Sequence, residues 1–245
     1  MAILITGGAK GIGLAIAEHL AARGEPMVLG WHSDAEAAEV AVARLAGMGA
    51  RVQAVRADVG QIEDCGRLVR AAGEAGDGPL HIVHSAAMIY PTALMEADLA
   101  TFTQAIQTNG LSLLYLVRQA ALSRGSSIVF ITSAGARTTL ANYAALGAGK
   151  ALAESLVRYL VAELAPRGVR INAVGPGLVA TTSVAKMAGG EDAAARVLER
   201  GARANPSGRL TEGADYAAVV EFLLSDAARF VQGQVIHANG GAWVG

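Results

Sequence analysis

Short, continuously apolar runs alternate along the whole chain with longer stretches in which apolar residues recur every three or four positions. The runs MAILIT, PMVLGW, RVQAVRADV, LHIVHSA, SSIVFITS, GVRINAVGPG and GQVIHA predict strands, apolar on both faces and therefore buried on both. Helices are predicted over 12–23, 34–47, about 65–75, 99–123, 142–165 and 215–225. Residues 181–208 are weakly periodic and read as a mobile excursion. This alternation implies an α/β fold, a doubly wound parallel sheet of about seven strands with helices on both faces. No repeat, low-complexity tract or linker interrupts it, so one domain over residues 1–245 is expected.

Composition narrows the function classes. Hydrophobic residues are 53% and charged residues 17%, enough to build a large core and too apolar for a disordered chain. The net charge of −1 offers no basic face, so nucleic acid is not expected as a partner. The single cysteine, Cys65, excludes an internal disulfide and a multi-cysteine metal site; it reads as an inert helix residue. The chain opens on an apolar strand with no charged leader, and no run approaches the roughly 20 apolar residues of a membrane span. A cytoplasmic protein is the expectation.

Two stretches carry candidate chemistry. Thr6-Gly7-Gly8-Ala9-Lys10-Gly11-Ile12-Gly13 joins the first strand to the first helix. Glycines there permit a tight turn and close backbone approach to a pyrophosphate, and the helix N-terminus offers free N–H groups. At the end of the second strand, Gly30-Trp31-His32-Ser33 has no acid to bond a ribose 2′-hydroxyl until Asp34, and Lys10 adds a cation. Both features favour NADPH, with NADH as the alternative. In the second stretch, Lys150 follows Tyr143 by seven residues. Seven helical steps fall about 20° short of two turns, so both side chains share a face, roughly 10 Å apart along the axis. Ser133 lies ten residues before Tyr143, just past an apolar strand.

With its TGxxxGxG loop the chain resembles the short-chain dehydrogenase/reductase superfamily over nearly its whole length. Asp58 and Val59 match the position that contacts the adenine ring, and Asn109 matches the family's structural asparagine. Pro176-Gly177, with Asn172 before and Thr181 after, matches the turn flanking the nicotinamide, and Gly240-Gly241 matches a C-terminal glycine pair. The resemblance implies a Rossmann-type fold. It also implies a cofactor held by Thr6, Gly7, Lys10, Gly11, Ile12, Gly13, His32, Ser33, Asp58, Val59, Ser85, Ala86, Lys150, Pro176, Gly177 and Thr181.

Two signatures are broken. Where the superfamily usually ends its fourth strand Asn-Asn-Ala-Gly, this chain has His84-Ser85-Ala86-Ala87. Its usual Tyr-x3-Lys pair would put tyrosine thirteen residues after Ser133, where Leu146 stands. Leucine donates no proton. The Tyr143-x6-Lys150 spacing is similar to the enoyl-acyl-carrier-protein reductase branch of the superfamily, as are Asn142, Gly147, Ala151, Glu154, Arg158 and Tyr159 around it.

The resemblance implies NAD(P)H-dependent reduction of an enoyl thioester in fatty acid biosynthesis, the acyl group riding on acyl carrier protein or coenzyme A. In that scheme Tyr143 stabilises the enolate, Lys150 binds the nicotinamide ribose and Ser133 has a lesser role. The alternatives are a carbonyl reductase that has recruited Tyr143 and a non-catalytic NADP(H)-binding sensor. His84 reads as structural, with no metal cluster around it. Tyr90 is a candidate for the acyl pocket. Residues 184–188, with Met187, form a candidate substrate lid within about 181–208, against the alternative of an ordinary surface helix. A homotetramer joined through the long helices and the last strand is expected by resemblance.

Overall fold

The structure is a computed structural model and describes residues 1–244. Seven strands form one parallel sheet: β1 (Ala2–Thr6), β2 (Met27–Trp31), β3 (Val52–Arg56), β4 (Leu80–His84), β5 (Ser127–Ile131), β6 (Arg170–Pro176) and β7 (Val235–Ala238). Their order is β3-β2-β1-β4-β5-β6-β7. The fold class expected from the apolar pattern is therefore the one observed.

Side chains alternate across a strand, so continuous apolar runs feed two cores. Leu4, Val28, Ile82, Ile128 and Ile171 point to the layer formed by α3 (Ile62–Ala75), α5 (Ser112–Gln119) and α6 (Ala144–Leu164). Ile3, Ile5, Leu29, Val83 and Val129 point to the layer formed by α1 (Gly11–Leu20), α2 (Ala35–Gly47) and α9 (Gly213–Leu224). The winding direction reverses between β1 and β4. Such a switch point leaves a crevice outside the carboxyl ends of the strands, where open α/β sheets bind ligands. Thr6 and His84 face each other in register at that place.

Three expectations need correction. The helix foreseen over 99–123 is broken: α4 (Leu99–Ile106) passes through a π turn, Gln107–Leu111, into α5, which stops at Gln119. The cause is tertiary. Asn109 turns its amide onto the Met88 backbone, and α6 approaches so closely that a Cβ on Gly110 would stand 2.7 Å from the Gly149 carbonyl oxygen. The stretch 181–208 contains two helices, α7 (Thr182–Ala188) and α8 (Glu191–Ala204). Its alanines favour helix, and α8 divides into an apolar and a charged side that the reading of weak periodicity overlooked. Finally, α6 begins at Ala144, so Tyr143 is its N-cap rather than a residue of its first turn. No helix among the described residues is long and apolar enough to cross a membrane.

Candidate active site

The glycine loop is shaped by close approach. Gly7 has φ +65°, and a Cβ there would stand 2.9 Å from Ala86 Cα. The loop thus rests directly on Ser85 and Ala86 at the end of β4. A Cβ on Gly13 would collide with the Gly7 carbonyl oxygen. Lys10 is the N-cap of α1 and caps nothing with its side chain, so the first N–H groups of that helix stay available. Thr181 closes the loop from the other side, its methyl 3.5 Å from where a Gly11 Cβ would be. This is a backbone-lined cradle at a helix N-terminus, which fits a dinucleotide pyrophosphate. Pro176 is buried at the end of β6, and Gly177 N–H bonds the Ala238 carbonyl.

At the far end of the crevice Lys10 is not a free cation. Its Nζ pairs with Asp34 Oδ2 at 2.9 Å, both groups being half-exposed. Asp34 also caps α2 by accepting from Ala37 N–H at 3.1 Å. The Lys10 bond, then the Ala37 bond, hold its carboxyl below the usual range. A second cation, missed in the sequence, stands here: the Arg56 guanidinium lies 5.9 Å from the Trp31 ring centroid, and its Nε donates to the His32 carbonyl. The pairing of β2 with β3 puts Arg56 opposite Trp31, so only a strand alignment could have found it. His32 and Ser33 are exposed at this end. Asp58 turns its carboxylate to its own loop, accepting from Gly60 N–H, and Val59 is buried beneath.

Ser133 and Tyr143 meet: Ser133 Oγ and the Tyr143 hydroxyl are 3.0 Å apart. The tyrosine is gripped on all sides. A Cβ on Gly135 would lie 2.5 Å from its ring. Asn142, the one non-glycine residue with positive φ among those described (57°), accepts Thr92 N–H and turns the chain into the helix. The Tyr143 carbonyl accepts from Gly147 N–H, so the residue keeps nearly helical register with Lys150. Burial raises the Tyr143 pKa, and the Ser133 bond works against that.

Lys150 is 4% exposed. Its Nζ donates to the Ile131 carbonyl at 2.8 Å and lies 4.5 Å from the Phe130 ring centroid. Desolvation pushes its pKa down to about 7. Leu146, at the position of the superfamily's usual acid, is buried and apolar.

Other residues hold this arrangement; sequence reading gave no such role to Glu154, and to Asn109 only the structural one implied by resemblance. Glu154 is buried one turn beyond Lys150; it accepts from Thr132 Oγ1 and from Arg137 Nε, each at 2.7 Å. It therefore pins both flanks of the Ser133 turn. Asn109 bonds Met88 N–H at 2.8 Å and the Met88 carbonyl at 3.0 Å, fixing the segment after β4. Tyr90 accepts Asp98 N–H through its hydroxyl. Cys65 is buried, and its thiol is pushed up to about 12, in keeping with an inert residue.

A family model described as enoyl-(acyl carrier protein) reductase matches residues 7–242. An NADPH-dependent aldehyde reductase of Arabidopsis thaliana is 34% identical over 255 residues, covering 97% of this chain and 92% of the relative. The enoyl-[acyl-carrier-protein] reductase (NADH) of Aquifex aeolicus superposes with a TM-score of 0.85 at 29% identity, covering 98% of this chain and 95% of that one. An actinorhodin polyketide ketoreductase with NADPH superposes at 0.89 with 26% identity, covering 98% and 96%. The chain belongs to the family of that model, within the short-chain dehydrogenases/reductases, and is an NAD(P)H-dependent oxidoreductase.

Proposed function

We propose that the protein reduces the C=C bond of an enoyl thioester, carried on acyl carrier protein or coenzyme A, with NADPH. The observation that carries this reading is the exchange on α6: Leu146 is buried where the usual acid would stand, and Tyr143 lies one turn earlier against Ser133. Those three residues are about 4.5 Å along a helix axis. In a ketone the oxygen to be protonated is bonded to the carbon being reduced. In an enoyl thioester, reduction at the β-carbon builds charge on a carbonyl oxygen two carbons away, so the donor must stand farther off.

Bound NADPH supplies the hydride. Residues 6–13 would hold its pyrophosphate, Asp58 and Val59 its adenine, Arg56 and Lys10 its 2′-phosphate. Lys150 would hold its ribose, and Ser85, Ala86, Pro176, Gly177 and Thr181 its nicotinamide. Tyr143 donates a hydrogen bond to the thioester carbonyl and holds the enolate charge. Ser133 orients the Tyr143 hydroxyl, and Lys150 adds positive potential. We read α7 and α8 as the lid over the acyl chain, since between them they bury only Ala194.

The test offers NADPH with crotonyl-CoA and separately with acetoacetyl-CoA, following the reduced-nicotinamide absorbance. Oxidation with the first alone supports the proposal. Oxidation with the second alone supports a carbonyl reductase, the reading favoured by the aldehyde reductase relative and by a serine within hydrogen-bond reach of the acid. At the cofactor end, Arg56→Ala raises the KM for NADPH about tenfold, the worth of one charge-assisted bond, and that for NADH less than about twofold; equal effects on both would remove Arg56 from the 2′ site. Phe230 and Tyr159 are 99% and 77% exposed. Large apolar rings on the surface fit the expected homotetramer, and light scattering behind size exclusion at the monomer mass would refute it.

A further inference from the structure

His84, where the superfamily's usual strand ending is broken, sits in a polar string of its own. The imidazole is fully buried, 5.5 Å from the Phe130 ring, with Nδ1 2.6 Å from Thr6 Oγ1 and Nε2 2.6 Å from Ser112 Oγ. A hydroxyl has a single hydrogen to give. Ser112 gives its hydrogen to the Thr108 carbonyl at 2.7 Å, so it must accept Nε2–H. Burial keeps the ring neutral, so Nδ1 carries no proton and accepts from the Thr6 hydroxyl. Thr6 Oγ1 in turn accepts Ala86 N–H at 3.2 Å. Every bond then runs the same way, from Ala86 through Thr6, His84 and Ser112 to Thr108. Reversing one would set two hydrogens or two lone pairs against each other.

The string joins the start of the glycine loop, the segment after β4 and the π turn. Asn109, next to Thr108 in that turn, holds the same segment again at Met88. Gly7 packs on Ala86 with no room for a Cβ, so a small shift between these two segments changes the cleft directly. We propose that His84, fixed as its Nε2–H tautomer, is a positioning residue that sets the spacing of the glycine loop and residues 85–88, the two walls of the cofactor cleft. The tautomer follows from hydrogen-bond geometry and the burial of the ring; the positioning role rests on the reading of those walls as the cofactor site.

Nitrogen NMR of 15N-histidine-labelled protein, with the His84 signal identified by its loss in His84→Asn, reads the tautomer without cofactor. NADPH affinity, by fluorescence titration, reads the positioning. Asparagine can place its oxygen near the Nδ1 position and keep the Thr6 bond. Glutamine reaches the Nε2 position and keeps only the Ser112 bond. A neutral Nε2–H ring is expected. His84→Gln should weaken NADPH by at least about tenfold and His84→Asn by less than about threefold, since one unmet buried partner is worth about 1–3 kcal/mol. A merely structural role would lower the melting temperature in both variants without this split. An Nδ1–H ring or an imidazolium overturns the string. Equal NADPH affinity in His84→Gln and His84→Asn overturns the positioning, and wild-type protein that binds no NADPH overturns it through the cleft itself.

Discussion

Tyr143→Phe lowers kcat for an enoyl thioester by about 10²–10³-fold and leaves the KM for NADPH within about twofold, the loss expected when one preorganised donor to a developing oxyanion is removed. The variant is informative because it changes so little else. The ring stays wedged against Gly135 and Gly147, which tolerate no Cβ in their place. Ser133 Oγ keeps Gly135 N–H as a partner, and the backbone bonds of Asn142 and Tyr143 are unaffected. Thermal stability should therefore fall only slightly. Ser133→Ala, which removes the group that orients the hydroxyl rather than the hydroxyl itself, should cost less. Full enoyl reduction by Tyr143→Phe would show that the donor lies elsewhere and would sink the proposed chemistry.

Lys150→Met abolishes most activity and at the same time raises the melting temperature near neutral pH. The first effect follows from losing the buried cation beside the Ser133 turn. The second follows from desolvation. The ammonium is 4% exposed and has one carbonyl and one ring face for company. Burial lowers its pKa from the usual 10.5 to about 7 in the folded protein. Across that window the unfolded chain binds more protons than the folded one, so stability rises with pH. The burial penalty is felt in full below about pH 7 and is relieved as pH climbs toward about 10.5. In cofactor-free protein the variant's advantage should thus be on the order of 5 °C or more at about pH 6 and shrink by about pH 9.5. Melting curves at the two values check it, and an advantage that does not shrink removes the desolvation account.

The local parts of this protein were legible in its residues. The glycine loop was readable because its close backbone approaches require glycine at set positions between a strand and a helix. The shared register of Tyr143 and Lys150 was readable because one residue caps the helix that carries the other, and helical pitch converts spacing into geometry. The seven strands were readable because burial on two faces leaves unbroken apolar runs. What failed was the periodicity argument at α4, α7 and α8. A π turn is imposed from outside by Asn109 on Met88 and by Gly149 on Gly110. The division of α8 into an apolar and a charged side was present in the sequence and was overlooked, and the fold buries only Ala194 of it.

Tertiary structure alone decided the rest, and in each case the partners are far apart in the chain. Arg56 stands beside Trp31 because β3 pairs with β2. The Lys10 charge, read as free, is half-spent on Asp34 across two helix starts. Glu154 pins the Ser133 turn from the middle of α6, and His84 gathers Thr6 and Ser112 from β1 and α5. Spacing along one element dictates which side chains share a face. Which elements become neighbours, and so which polar groups find partners, is settled only when the sheet is assembled and each buried donor must meet an acceptor.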